Sequence, residues 1–224
     1  RATARPLPAD EPRTNLPFMK DASPTPSETG PKTSAEPGDR KRRWLPGFKV
    51  LGGLLLGACA TQDKPPLQTV AHVDLPRYMG DWRVIANIPY FAEEGAVDSI
   101  ESYALRPDGK IANTFRYRDR SFDAPQKRHD FLARVTNPQT NAEWRVQFFP
   151  LISAAYLIID LDPEYQWAVV GHPSRKYGWV LAREKTMSEH TYAKIMERVA
   201  TQGYDTAKFE KVPQLPSQIS SRKP

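Results

Sequence analysis

Cysteine is nearly missing from this chain of 224 residues, which contains one Cys and four His. A single Cys cannot form an intramolecular disulfide, so a disulfide-stabilised scaffold is excluded. A Cys-rich zinc site is excluded for the same reason. Only 39% of the residues are hydrophobic, which excludes a protein with several membrane-spanning helices. The length allows one ordinary domain with tails, or at most two small domains.

The formal net charge of +6 is distributed unevenly along the chain. Residues 1–58 hold ten Lys or Arg against six Asp or Glu, whereas residues 59–224 hold 22 against 20. An excess of positive charge on a folded domain would point to nucleic acid. Because most of the excess lies near the N-terminus, we expect no nucleic-acid partner.

Residues 1–39 are rich in Pro, Ser, Thr and charged residues and have almost no apolar periodicity. A segment of this composition cannot bury enough surface to offset the entropy it would lose on folding. We expect it to be disordered. The alternative is that it does not belong to the natural protein.

Residues 40–58 have the layout of a secretory signal peptide. A basic cluster at residues 40–43 precedes a short apolar stretch at residues 50–58, which ends in small residues. A transmembrane helix needs about 20 apolar residues, so this stretch is too short to be one. We therefore expect export followed by removal of the segment.

Residues 56–59, Leu-Gly-Ala-Cys, resemble a bacterial lipobox, in which the Cys is lipidated and becomes the first residue of the mature protein. Cys59 is then a lipid anchor followed by a linker over residues 59–72. Ala60 does not resemble the Asp of an inner-membrane retention signal, which favours the periplasmic face of the outer membrane. The alternative is a cytosolic protein with an N-terminal amphipathic piece and a chance Cys.

From about residue 78 the pattern becomes period two, bounded by turn residues, which indicates short antiparallel strands. Asp108-Gly109 is a strong hairpin signal. Eight such strands predict an all-β fold, either a sandwich or a closed barrel. Tight turns alternating with longer connections favour an up-and-down barrel, which either fills with side chains or holds one small ligand. We expect the strands at residues 80–88, 97–105, 110–118, 129–135, 143–149, 155–161, 166–171 and 177–183.

A helix is predicted after the last strand. Thr186 and Glu189 fit a capping box, in which each side chain pairs with the backbone N–H of the other. An apolar stripe predicts packing on the barrel exterior, and Gly203 ends the helix. Residues 215–224 are expected to form a flexible tail. The stripe consists of Tyr192, Ile195, Met196 and Val199.

Three short motifs resemble those of the lipocalin family. Gly80 and Trp82 resemble its G-x-W motif, Asp162 and Tyr165 lie in a match to its second motif, and Arg183 resembles the Arg of the third. The chain is identified as a member of this family over residues 73–214, similar to its bacterial outer-membrane lipoproteins. The resemblance implies that Arg183 lies over the Trp82 indole at the narrow end of the barrel, as a cation–π contact. These five residues are then structural.

The resemblance also implies non-covalent carriage of a small hydrophobic molecule, with lysophospholipids or fatty acids as the expected ligands. Envelope lipid storage, transport or repair is the expected role. No motif of a hydrolase, metalloprotease or phosphate-binding loop is present, so we expect neither an enzyme nor a cofactor or metal. Strand alternation places these candidate ligand contacts inside the barrel: Val84, Ala86, Ile88, Tyr103, Phe115, Tyr117, Phe131, Ala133, Trp144, Val146, Phe148, Tyr156 and Ile158.

Glu101 falls on the same predicted inner face. Either it lies in the barrel, where burial would raise its pKa, or a bulge shifts the alternation. We favour the bulge or an edge position.

The longer connections are expected to line the open mouth, where Arg120, Arg175 and Lys176 are candidates for a phosphate or carboxylate headgroup. Solvated loop charges are the alternative reading of these three residues. A filled barrel that docks a protein partner through its rim is the second functional hypothesis. The sequence also leaves a homodimer open.

Overall fold

The computed structural model of the protein describes residues 64–90 and 93–219. The expectations for residues 1–58 and for the anchor Cys59 lie outside them. Eight antiparallel strands each pair with the next, and β1 pairs with both β2 and β8, which closes the barrel. The predicted all-β barrel is thereby confirmed. The strands are β1 Gly80–Asn87, β2 Ala96–Leu105, β3 Ile111–Asp119, β4 Gln126–Val135, β5 Glu143–Phe149, β6 Ile152–Leu161, β7 Trp167–Gly171 and β8 Gly178–Ala182.

The two ends of the barrel differ. One end, the closed end, carries the short helix α1 (Leu75–Tyr78) and tight turns such as the hairpin at Gly109. Gly109 has φ +74°, a conformation that favours glycine, and its N–H donates to the carbonyl of Arg106 at 3.0 Å. The opposite end, which we term the mouth, is formed by the described parts of the connections, residues 88–90, 93–95, 120–125, 150–151 and 172–177.

Helix α2 (Glu189–Thr201) packs on the outside of the barrel through the buried residues Ile195 and Val199. The predicted capping box at Thr186 is wrong. The helix begins at Glu189, so Ser188 is its N-cap and accepts a hydrogen bond from the Thr191 N–H at 3.1 Å. No helix in the described part of the chain is both long and apolar enough to span a membrane.

A bulge in β1 reverses its alternation. The pairing of β1 with β8 shifts between Val84 and Ala86, so Val84 belongs to the interior cluster whereas Ala86 and Ile88 pack outside with α2. The expectation that Ala86 and Ile88 face the interior is therefore wrong. Asn87, which lies between them in the sequence, is buried and donates to Glu93.

The C-terminal segment completes the wall near the mouth. The pairing of β1 with β2 ends at Arg83, and β9 (Glu210–Lys211) pairs with β1 beyond it. The buried Gln214 side-chain amide then donates to the carbonyls of Val84 at 2.8 Å and Ser99 at 3.0 Å. This segment thus bridges β1 and β2 where they no longer pair with each other. Two short 3-10 turns flank it, Thr206–Lys208 and Pro216–Gln218.

Candidate functional site

Arg183 covers the closed end of the barrel. Its guanidinium carbon lies 3.7 Å from the centre of the Trp82 ring, and it donates to the carbonyls of Arg77 at 2.7 Å and Asp81 at 2.8 Å. Gly80 has φ +93°, and a Cβ there would approach Arg183 to 3.5 Å. The three residues named by the first and third motifs therefore hold this end together and lie away from the mouth.

The second motif forms a turn at the same end. The Asp162 carboxylate accepts from the Gln166 N–H at 3.1 Å. The Tyr165 hydroxyl accepts from the Asp74 N–H at 2.8 Å, and the Arg77 guanidinium lies 4.2 Å from the Tyr165 ring centre. These contacts hold the segment that leads into α1 against the barrel.

The closed half of the interior is filled by aromatic side chains. The Tyr156 hydroxyl donates to that of Tyr103 at 2.9 Å and lies 2.8 Å from the hydroxyl of Tyr78. Trp144 stacks on Tyr156 with ring centres 4.9 Å apart. Burial raises the pKa of Tyr103 and Tyr156 well above the ordinary value, so the hydroxyls stay protonated. We term Tyr78, Tyr103, Trp144 and Tyr156 the aromatic plug.

Nearer the mouth, four aromatic residues of β3, β4 and β5 form what we term the apolar wall: Phe115, Tyr117, Phe131 and Phe148. Phe115 stacks on Tyr117 and Phe131 meets Phe148 edge-on, both with ring centres 5.0 Å apart. Phe131 and Phe148 belong to the interior cluster but are only partly buried, so solvent reaches the space beside them. The remaining predicted contacts that lie in the interior cluster are Val84, Ala133, Val146 and Ile158.

Glu101 faces the interior beside the apolar wall, on the neighbouring strand β2. Its Oε2 accepts from the Asn113 amide at 2.5 Å, and its register partner on β3 is Phe115. Burial raises the pKa of Glu101 to about 8, with a further contribution from the charge of Glu93. The favoured expectation of a shifted Glu101 is wrong, because the β2 bulge lies between Val97 and Ile100 and leaves the later residues in alternation.

Glu93 enters the barrel from the connection between β1 and β2. Its Oε2 accepts from the Asn87 amide at 2.5 Å and from the Trp179 indole N–H at 3.1 Å. Glu93 is 8% exposed, and burial raises its pKa to about 7. Strand alternation could have identified Asn113, but no sequence signal marks a loop Glu as buried. We term Glu93, Glu101, Asn87, Asn113 and Trp179 the polar side.

His129 lies on the inner face of β4, in register with Phe115. Its ring lies between those of Tyr117 and Phe131, with centres 5.9 and 6.3 Å away. Its Nε2 is buried and has no hydrogen-bond partner among the described residues. Burial lowers its pKa, which favours a neutral imidazole. No group of three or more potential metal ligands occurs within residues 64–90 and 93–219.

At the mouth, Arg175 is not placed to meet a headgroup. It is buried, and its guanidinium donates to the carbonyls of Pro173 at 2.8 Å, Gln202 at 3.2 Å and Pro65. The expectation of a headgroup role for Arg175 is therefore wrong, because backbone carbonyls occupy its donors.

Other mouth residues do face solvent. The Arg120 side chain is exposed and its Nε lies 3.9 Å from Asp119. Lys176 is exposed as well. Leu151 and Phe149 are exposed large apolar residues, and Leu151 is exposed completely. The rim therefore combines apolar and basic side chains.

The N-terminal described segment runs along the outside of the barrel from the mouth to the closed end. Near the mouth, Pro65 is held by Arg175, and the Lys64 ammonium donates to the Gly203 carbonyl at 2.9 Å. At the closed end, the Val73 N–H donates to the Thr140 carbonyl at 2.7 Å. Much of the expected linker thus lies against the barrel.

Comparisons with known proteins agree on the fold family. The family model of the lipocalin-like domain matches residues 73–214. The chain is 34% identical over 164 residues to temperature-induced lipocalin-1 of Arabidopsis thaliana, covering 68% of this chain and 85% of that protein. It is 32% identical over 158 residues to the outer membrane lipoprotein Blc of Escherichia coli, covering 69% and 88%. Insecticyanin of Manduca sexta superposes with a TM-score of 0.55 at 16% identity, covering 68% and 87%, which shows a shared fold.

Proposed function

Since this chain belongs to the lipocalin family, whose members bind small hydrophobic ligands, we propose that it carries or scavenges lysophospholipids or fatty acids at a bacterial outer membrane. Lipocalins are generally binding and transport proteins rather than enzymes, and we propose the same here. Envelope lipid storage, transport or repair is the proposed role. The observation that carries the proposal is a barrel with one filled half and one half that solvent reaches.

The apolar wall supports an acyl chain as the ligand's apolar part. Ligand sites are mostly apolar with a few placed polar groups. Phe131 and Phe148 offer partly accessible aromatic surface on the mouth side of the aromatic plug. The acyl chain of a ligand that enters through the mouth would therefore lie along the wall, above the plug.

The path of the N-terminal segment supports an anchor that turns the mouth toward the bilayer. Cys59 precedes Lys64 by five residues, which span at most about 18 Å when fully extended. Lys64 lies beside Gly203 and Pro65 beside Arg175, at the mouth. A lipidated Cys59 would thus hold the mouth, rather than the closed end, near the membrane surface.

The exposed rim fits a lipid surface. Leu151 and Phe149 offer apolar side chains to the acyl region, and Arg120 and Lys176 offer positive charge to phosphate groups. Ligand transfer between bilayer and barrel would then need no passage through water.

The binding proposal is tested by titrating delipidated protein with a lysophospholipid and with a fatty acid in a calorimeter. We expect low-micromolar affinity or better. Phe131→Trp should weaken binding about tenfold by narrowing the interior between the aromatic plug and the mouth, whereas Leu105→Trp at the exposed closed end should not. Failure of every acyl-chain ligand to bind would overturn the proposal. A stoichiometric protein partner copurifying with an empty barrel would favour the interaction module.

The anchor has a separate test, because Cys59 lies outside the described residues. Cys59→Ser should move the protein from the membrane fraction to the soluble periplasmic fraction. Unchanged fractionation with the membrane would refute lipidation at Cys59 and leave the binding proposal standing.

A further inference from the structure

The part of the barrel interior between the aromatic plug and the mouth, which we term the chamber, is lined by two unlike sets of side chains. The apolar wall contains only aromatic rings, whereas the polar side carries two carboxyl groups, two amides and an indole N–H. Each carboxyl uses Oε2 for its hydrogen bonds. No described residue donates to Oε1 of Glu93 or of Glu101. The Oε1 atoms of Glu93 and Glu101 are therefore available to hydrogen-bond a bound ligand.

The charges around these acceptors disfavour an anionic head. No described Lys or Arg donates to Glu93 or Glu101, and the two carboxyls interact with each other. Lys127 lies on β4 near the mouth, as the register partner of Tyr117. Its ammonium forms an ion pair with Asp119 at 3.2 Å. A bound carboxylate would oppose ionisation of Glu93 and Glu101, whereas a bound ammonium would favour it and then meet the opposite charge.

His129, whose Nε2 is buried without a partner among the described residues, lies near Glu101. Both are register partners of Phe115, so they flank it on the two neighbouring strands. A buried polar nitrogen without a partner costs free energy, which a bound polar group recovers. As a neutral imidazole it adds no positive charge that would attract an anion.

We propose that the chamber selects single-chain amphiphiles whose polar group carries a primary ammonium, with that ammonium donating to Oε1 of Glu101 and Oε1 of Glu93. The chain then lies along the apolar wall toward the mouth, because the aromatic plug blocks the way down. This proposal rests on the proposed lipid-binding function and specifies which polar group of the ligand the barrel binds most tightly.

The test compares dodecylamine, dodecanol and dodecanoate, which share one chain length, by calorimetry at pH 7. Dodecylamine should bind at least about tenfold more tightly than the other two, as expected of a charge-assisted hydrogen bond in an enclosed site. Glu101→Gln should abolish that preference by weakening the binding of dodecylamine. Glu197→Gln, which removes an exposed carboxyl on α2, is the matched control and should retain it.

Proton release gives an independent readout. At pH 7 Glu101 is largely protonated, since its pKa is about 8, and an ammonium beside it favours the carboxylate. Dodecylamine binding should therefore release protons. The binding enthalpy measured by calorimetry should then change with the ionisation enthalpy of the buffer. Tyr78, Tyr90 and Tyr103 also interact with Glu101 but stay neutral, because burial raises the pKa of each. The release should be smaller in Glu101→Gln.

Two lysophospholipids identify the source of the ammonium. An ethanolamine lysophospholipid and a choline lysophospholipid share the phosphate, and only the first has a primary ammonium. Stronger binding of the ethanolamine form points to phospholipid heads, and binding of dodecylamine alone points to simple amines. The inference would be overturned if amine, alcohol and acid bound with equal affinity and Glu101→Gln did not alter it. The lipid-binding proposal would remain intact. Binding of none of them would overturn that proposal.

Discussion

At the residue scale, Glu93 and Glu101 put two carboxyl groups inside a barrel that is otherwise lined mainly by apolar and aromatic side chains. Desolvation favours their protonated forms and raises the pKa values to about 7 and about 8. An unfolded chain would hold both carboxyls at the ordinary pKa near 4.5. The folded state therefore binds protons more strongly than the unfolded state from about pH 5 to pH 8.

The sign of the resulting pH dependence follows from proton linkage. Since the native state binds more protons in this range, raising the pH stabilises the unfolded state relative to it. We expect the free energy of unfolding of the unmodified protein to fall relative to that of Glu101→Gln by about 1 kcal/mol per unit from pH 5 to pH 8. Urea denaturation at several pH values measures it. Parallel curves for the two proteins would contradict the burial of a titrating Glu101.

Single residues also show where strand alternation succeeds and where it fails. Phe115 and Phe131 are on the expected inner face because β3 and β4 pair without interruption. Ala86 and Ile88 are outside because one bulge in β1 reverses the alternation. Their apolar side chains suit either face, so the sequence contained no signal that would have located the bulge.

At the scale of elements, the segment after α2 forms part of the barrel wall. β9 extends the sheet beside β1, and Gln214 satisfies one carbonyl on β1 and one on β2. The Val212 side chain reaches the interior cluster from this segment. The sequence Pro-Gln-Leu-Pro at residues 213–216 has no strand pattern, so sequence periodicity could not reveal the insertion.

Gln214→Met should lower the free energy of unfolding by about 2 kcal/mol, because the Val84 and Ser99 carbonyls would lose their partner while remaining buried. Chemical denaturation measures the loss. The matched control is Gln147→Met on the exposed face of β5, which should change stability by less than about 0.5 kcal/mol. Equal effects of the two substitutions would show that Gln214 has no bridging role.

At the scale of the whole molecule, the two ends of the barrel differ in structure. One end is closed by Arg183 over Trp82, and the other carries Leu151 and the basic rim. The described N-terminal segment lies at the mouth at Lys64 and reaches the closed end by Val73. An anchor attached at Cys59 would therefore orient the whole barrel.

This orientation is testable with an environment-sensitive probe on lipidated protein bound to vesicles. A probe on Leu151→Cys, at the mouth, should shift to the blue on binding. The same probe on Pro107→Cys, in the exposed hairpin at the closed end, should not. Acylation of Cys59 blocks its own thiol from labelling. A shift at position 107 alone would mean that the closed end faces the membrane.

The sequence by itself determined the strands, the barrel and its closed end. Strand alternation and turns depend on local sequence patterns. The motif residues Gly80, Trp82 and Arg183 lie in or next to regular strands, which bring them into contact. The tertiary structure alone decided the chemistry of the chamber and of the mouth. The Glu93 carboxylate accepts from Trp179, Arg175 donates to the carbonyls of Pro65 and Gln202, and bulges in β1 and β2 set which residues face inside. Each of these depends on contacts between residues distant along the chain, which no local pattern encodes.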